Sequence, residues 1–382
     1  MMRFSKAIFI VFMTTAFLSL PPTFVFGQEE GPTERIAKLL DAQTAILEYN
    51  IGGLSVDIIK SSGKTTFTLP KSDEPIEIKI NFFKDSIESV DTLAPFQNES
   101  NVLYRLLIEP ILPELAGVTR LGIVSGPGLG DFSFAALVSK KDAKNAFMPS
   151  PRFLIDDFAI FYAPSLDAME KALSAASSSN IGALVIGNAR YPASFSRLKI
   201  APIEMKDVAE AIPGSIMLEG DAASESAFKR ELSAGALSVV HVTTHSVIKP
   251  GSAENSKLIF TGGEAEDGNL TVTEVSGMAI DVSLVTLSAD EAGVVWKGGE
   301  QGFPVAFLTA GAKSVLAPVW KIDRGVTAML MGFYYQNLAM YDKAEALRRA
   351  QKMVIDFEKE RGYRRLAHPG FWAPFVLYGS YR

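Results

Sequence analysis

The stretch LVTLSADEAG, Leu284–Gly293, sets a strand-length apolar run directly before a polar turn. Leu284–Ser288 is short, bounded and without regular alternation, which reads as a strand buried on both faces. The same shape recurs at Leu121–Ser125, Phe158–Tyr162, Gly182–Gly187, Leu237–Thr243 and Ser314–Val319. Between or after these runs lie stretches predicted to be helical: Leu166–Ser177, Met205–Ala211, Glu225–Ser233, Phe303–Ala310 and Arg324–Met340. Apolar strands alternating with helices predict an α/β fold with three layers, a mostly parallel sheet covered on both sides. In such sheets functional groups gather at the carboxyl ends of the strands.

Upstream, residues 28–100 read as a smaller unit of helix and antiparallel strands, with the main domain over 101–382. Glu34–Glu48 carries Ile36, Leu39, Leu40 and Ile46 at near-helical spacing. Leu54–Ile59 and Thr65–Pro70 read as strands joined by the turn Ser61-Ser62-Gly63-Lys64, and Glu77–Phe83 as a further strand. The first residues have the shape of an export signal. Arg3 and Lys6 precede the apolar run Ala7–Leu20, Pro21 and Pro22 break it, and Val25 and Gly27 suit a signal peptidase. Cleavage after Gly27 is expected, removing residues 1–27 and leaving no stable membrane anchor, since the run is short of the ~20 apolar residues a span needs. The expected location is the periplasm or the outside of the cell.

Composition excludes several classes. The 382-residue chain has a formal charge of −6 and no basic stripe, so no nucleic-acid partner is expected. It contains no cysteine, so it has neither disulfides nor a thiol nucleophile. No cofactor or metal is expected. Gly126, Gly128 and Gly130 follow a strand, but Asp131 stands where a dinucleotide loop needs glycine, so a turn is the better reading. Glu264, Glu266 and Asp267 form an acidic loop without the calcium-loop pattern. There is no internal repeat.

Seven landmarks from Leu103 to Gly379 then stand in a familiar order: LYRLLIEP (Leu103–Pro110), GLGDFSFAAL (Gly128–Leu137), FYAPSL (Phe161–Leu166), HVTTHS (His241–Ser246), LSADEAG (Leu287–Gly293), FLTAGAKSVLAPVWKID (Phe307–Asp323) and HPGFWAPFVLYG (His368–Gly379). Together they resemble the CHAT family, related to caspases and separases. The resemblance implies a caspase-like sandwich with a histidine and a cysteine at the ends of neighbouring strands. There the thiolate attacks a peptide carbonyl and backbone N–H groups hold the oxyanion. The family histidine falls on His245. The family cysteine falls on Asp290.

The replacement changes the chemistry. A carboxylate attacking an amide would have to expel an amine, a far worse leaving group than the carboxylate itself, so the intermediate collapses backwards. An ion pair between Asp290 and His245 would also favour imidazolium and remove the base. Ser246 stands where the family has glycine, and would strain the loop if positive φ were required there. Ala292 replaces a frequent threonine. Ser288 and Ser125 are the alternative hydroxyl nucleophiles. Within the resemblance, His241 and His368 read as structural, Trp320 as core, Asp323 as bordering the site, and Glu204 as capping a helix or lining the site. These residues predict a degenerate, exported pseudopeptidase that binds a peptide or protein partner. The alternatives are a hydrolase of altered chemistry using His245 and Asp290 or Ser288, and a structural module of the cell envelope.

Overall fold

The computed structural model describes residues 30–88, 93–124, 129, 132–142, 150–175, 180–294, 302–357 and 365–382. The predicted export signal, Ser125, the glycines at 126, 128 and 130, and Asp131 lie outside the described residues. In chain order the elements are α1 (Pro32–Leu39), β1 (Thr44–Asn50), β2 (Ser55–Lys60), β3 (Gly63–Thr68), α2 (Ile76–Glu88), α3 (Leu93–Leu107), β4 (Arg120–Val124), β5 (Val138–Lys140), β6 (Arg152–Phe153), β7 (Ala159–Ala163), α4 (Leu166–Ser174), β8 (Gly182–Ala189), α5 (Ala201–Ala211), β9 (Ile216–Gly220) and α6 (Glu225–Ser233). They continue with β10 (Leu237–Thr243), β11 (His245–Val247), β12 (Lys257–Ile259), β13 (Asn269–Thr271), α7 (Val272–Ser276), β14 (Leu284–Ser288), α8 (Phe303–Ala310), β15 (Ser314–Pro318), α9 (Arg324–Leu338), α10 (Lys343–Phe357), α11 (Pro369–Trp372) and β16 (Phe375–Gly379).

Eleven strands form one sheet in the order β3-β2-β1-β4-β7-β16-β15-β14-β10-β8-β9. From β15 to β9 every pairing is parallel. β16 runs antiparallel to β15 and parallel to β7, so two parallel blocks, β1-β4-β7-β16 and β15-β14-β10-β8-β9, meet at an antiparallel seam, and β2 and β3 extend the first block by antiparallel pairing. All five residues of β7, β14, β15 and β16 are buried, as two covered faces require. Helices α5, α9 and α10 pack on one another and on β7, β8 and β16. The pairs α1–α4 and α7–α8 pack on the strands as well, giving the α/β/α architecture read from the sequence. Side-chain caps fix where helices start: Ser165 for α4, Ser224 for α6 and Asp323, which accepts from the N–H groups of Gly325 and Val326, for α9. Among the described residues no helix is long and apolar enough to cross a membrane.

Two N-terminal expectations need correction. The helix expected over Glu34–Glu48 stops at Leu39, and Thr44–Asn50 is a strand. Asp41 makes the break: its Oδ1 accepts from the Gln43 N–H and the Thr44 hydroxyl, a local turn that competes with helix. The strand expected at Glu77–Phe83 is α2, whose buried Ile76, Ile80, Phe83 and Ile87 repeat at helical spacing once the window is lengthened. The hairpin β2–β3 is present where expected. Its strands do not form a sheet of their own, because β1 pairs antiparallel with β2 and parallel with β4 and so joins them to the central sheet.

Candidate functional site

β10 and β14 lie side by side in parallel, with Thr243 opposite Ser288. Their carboxyl ends carry the two positions singled out from sequence. β10 turns through Thr244 into β11, where His245 and Ser246 pair with Ile259 and Leu258 of β12. Asp290 follows β14 by two residues.

The two side chains do not form a dyad. Among the described residues no ion pair joins His245 to Asp290. Nε2 of His245 lies 2.7 Å from the Ser196 carbonyl oxygen, so that nitrogen carries the hydrogen and donates it. The ring packs between Tyr191, met edge-on at a centroid distance of 4.7 Å, and Phe195, tilted against it at 5.1 Å. Both aromatics and Ser196 belong to the segment between β8 and α5. Burial raises the pKa of the Tyr191 phenol, partly countered by the Thr244 hydroxyl, which donates to it at 3.3 Å.

Asp290 is held elsewhere. Its Oδ1 accepts from the Ile322 N–H at 3.0 Å, and its Oδ2 lies 3.6 Å from Nη2 of Arg324. The Ser246 hydroxyl donates to the Asp290 carbonyl at 2.5 Å. Arg324, at the start of α9, also donates to the carbonyls of Ser288 and Thr244, at 3.0 and 3.3 Å. Its guanidinium therefore clamps the ends of β10 and β14 together and neutralises the charge that Asp290 brings.

Ser246 lies in β11 without a left-handed backbone, so the strain expected there is absent. Left-handed φ falls instead on Glu291 (57°), next to Asp290, and on Asn188 (43°), near the end of β8. Ser288 is fully buried, and among the described residues its hydroxyl has no hydrogen-bond partner, His245 included. Among the described residues there is therefore no Ser–His hydroxyl pair at the site.

Beneath the site, a buried polar network links the helix layer to the sheet. Nε2 of His241 lies 3.0 Å from Oε1 of Glu204 and 2.9 Å from the Thr243 hydroxyl, which itself donates to Glu204 at 3.1 Å. Nδ1 of His241 meets the Tyr335 hydroxyl at 3.2 Å, and Tyr335 donates to Thr286 at 2.9 Å. His241 is thus structural, and Glu204 lies under the strand end rather than capping its helix. His368 is structural too, its Nδ1 accepting from the Gly370 N–H at the start of α11. Trp320 is partly buried against the core, its Nε1 donating to the Gly370 carbonyl.

One acid of the loop at 263–268, Glu266, joins Glu225 of α6 and Glu274 of α7 around a lysine. Nζ of Lys229 lies 2.8, 2.9 and 3.0 Å from carboxylate oxygens of Glu225, Glu266 and Glu274. Burial works against that ammonium, but the three carboxylates outweigh it and hold its pKa well above the usual value. The position where three acids converge is filled by Lys229.

A cavity of about 280 Å3 opens beside Glu291, walled by Ile87, Ile248, Val294, Val319 and Trp320, with Lys84 at its margin. Sequence reasoning missed Arg324, Tyr191 and Phe195. Only Arg324 carried a signal, as the residue directly after the Trp-x-x-Asp segment.

The sequence profile of the CHAT domain matches residues 97–380. Tetratricopeptide repeat protein 28 of Mus musculus is 32% identical over 114 residues, which are 29% of this chain and 4% of that protein. The Homo sapiens protein of the same name gives the same figures, so the chain spans a small part of either relative. In the separase–securin complex of Saccharomyces cerevisiae, a fold match with TM-score 0.53 and 11% identity covers 91% of this chain and 31% of the other. That likeness concerns the fold.

Proposed function

Because the chain belongs to the CHAT domain family yet carries Asp290 at the family's cysteine position, we propose that it is an exported, catalytically inactive relative that binds a peptide or protein without cutting it. The observation that carries this reading is the commitment of the Asp290 carboxylate. It caps the Ile322 N–H and pairs with Arg324 in a sequence with no cysteine at all. A carboxylate so used is a brace between two loops. It is also the wrong nucleophile for an amide, whose amine leaves far less readily than the carboxylate itself. His245, with Nε2–H on the Ser196 carbonyl and its ring between two aromatics, is not set to serve Asp290 as a base. Export rests on the basic, apolar and small-residue pattern of residues 1–27.

Binding is supported by the cavity beside Glu291, whose apolar walls and polar margin suit a bulky apolar side chain of an extended partner. The test is incubation of the purified protein with a diverse peptide pool, reading both new peptide termini and retention on the immobilised protein. No cleavage is expected, and retained peptides should be rich in bulky apolar residues and be released by Ile248→Glu. Cleavage that disappears in His245→Ala would overturn the reading. The packing of Tyr191 and Phe195 on His245 favours one second reading, a structural envelope module. Absence of any retention would favour it.

A further inference from the structure

The two edges of the central sheet differ in kind. At one end, β3 presents Lys64, Thr65, Thr66 and Thr68. Lys64 and Thr66 are tied across the hairpin to Asp57, at 3.0 and 2.6 Å. A charged and hydroxylated edge of this sort discourages pairing with another chain. At the other end, β9 reads IMLEG and has neither lysine nor proline within the strand. Its inner edge is satisfied by β8, with Leu184, Val185 and Ile186 opposite Ile216, Met217 and Leu218. Its outer edge pairs with no strand among the described residues. Ile216 and Met217 are 41% and 51% exposed there, so apolar side chains and unpaired backbone groups occur together.

We propose that β9 is the docking edge for a second copy of this chain, joined antiparallel about a two-fold axis through Met217. That axis sets Met217 against Met217, Ile216 against Leu218 and Ser215 against Glu219. No like charges are opposed. The only charge in the strand, Glu219, is already matched within its own chain by Arg197 at 3.3 Å and by Nδ2 of Asn188 at 2.7 Å. The strip is therefore neutral on an acidic protein, and a self-complementary register is what an isologous contact requires. The strand is short, ended by Gly220 with φ 62° and preceded by Pro213 and Gly214. A pair of this length buries less than the ~1,200 Å2 of a standard stable interface, so the dimer should be weak and dependent on concentration.

The cysteine-free sequence makes the test direct. A single Met217→Cys places one thiol on each side of the axis. Directly opposed residues of antiparallel strands stand at roughly 4.5–5.5 Å between Cα atoms, within disulfide reach. Thr66→Cys puts an equivalent thiol on the opposite edge. Under air with a copper catalyst, Met217→Cys should form disulfide dimers at least about tenfold faster than Thr66→Cys, through its higher effective concentration. Sedimentation of the unmodified protein should show a reversible monomer–dimer equilibrium, abolished by Met217→Lys with an unchanged circular-dichroism spectrum and retained by Thr66→Lys. Equal cross-linking at the two edges, a monomer at every concentration, or a Met217→Lys variant that dimerises normally would overturn the proposal. So would a monomer whose β9 edge captures only foreign peptides.

Discussion

At the scale of single residues, His368 shows how burial fixes a protonation state. The ring is 2% exposed, and Nδ1 accepts the Gly370 N–H, so the hydrogen sits on Nε2, which has no partner among the described residues. Protonation would put a second donor against the Gly370 amide, and desolvation already pushes the pKa down to about 4 from an ordinary 6.5. The unfolded chain takes up this proton near pH 6.5 and the folded chain only near pH 4. Stability from this group is therefore whole above about pH 6.5 and drains away as pH falls towards 4, by about 2–3 kcal/mol. Urea midpoints at pH 7.5 and 4.5 should fall further apart in the wild type than in His368→Gln. An equal pH dependence in the two would show that the ring does not stay neutral. The reading of His368 and His241 as structural needed only their places within landmarks. The partners of His245 and Asp290 were not legible, because Tyr191, Phe195 and Arg324 reach the site from segments whose approach is set by tertiary packing. Asp290 itself stood out at once, since a carboxylate at a nucleophile position is a change of chemistry and not of size.

At the scale of elements, backbone spacing around the site depends on a missing side chain. Gly187 of β8 lies opposite Thr243 of β10, and a Cβ on it would come within 2.0 Å of the Thr243 carbonyl oxygen and 2.8 Å of its carbon. Those atoms are backbone and cannot swing aside. Gly187→Ala should therefore part the two strands just before the turn to His245 and destabilise the fold by on the order of 3 kcal/mol, as overpacking does. Gly52→Ala, where only a side-chain oxygen lies as near as 4.0 Å, should be close to neutral. Denaturant midpoints of the two variants separate the cases, and equal midpoints would mean that β8 and β10 adjust freely. Strands β10 and β14 and helices α6 and α8 coincide residue for residue with the runs read from sequence. They are bounded by glycine, serine or polar turns that act locally. The failures came where the local signal was ambiguous. Ile36, Leu39, Leu40 and Ile46 mimic one helical face although the Asp41 turn divides them. A seven-residue window over α2 is too short to tell a period of two from one of 3.6.

At the scale of the whole molecule, the boundary drawn near residue 100 marks a change of pattern in the chain but no gap in the sheet. β1 lies between β2 and β4, and Gly122 of β4 leaves room for Ile46 of β1, Phe161 of β7 and Met169 of α4 to converge. A row of aromatics ties the same halves together: Phe83 meets Phe96 and Phe132 at 5.2 and 4.7 Å, and Phe96 meets His368 at 5.4 Å. Polar ties repeat the message, with Arg120 to Asp41 at 2.6 Å, the Tyr49 hydroxyl to the Leu107 carbonyl at 2.9 Å, and Arg382 to the Leu39 carbonyl at 3.0 Å. A chain shortened to begin at Asn101 would lose α1, β1, β2, β3, α2 and the first half of α3. It would expose both the apolar faces they cover and the edge of β4, a strand with four fully apolar or glycine positions after Arg120. Burial on this scale cannot be replaced by water, and an uncovered apolar edge invites association. The shortened chain should accumulate in the insoluble fraction, or melt well below a chain begun at Gln28. Soluble expression with an unchanged thermal midpoint would instead make residues 28–100 a separable module.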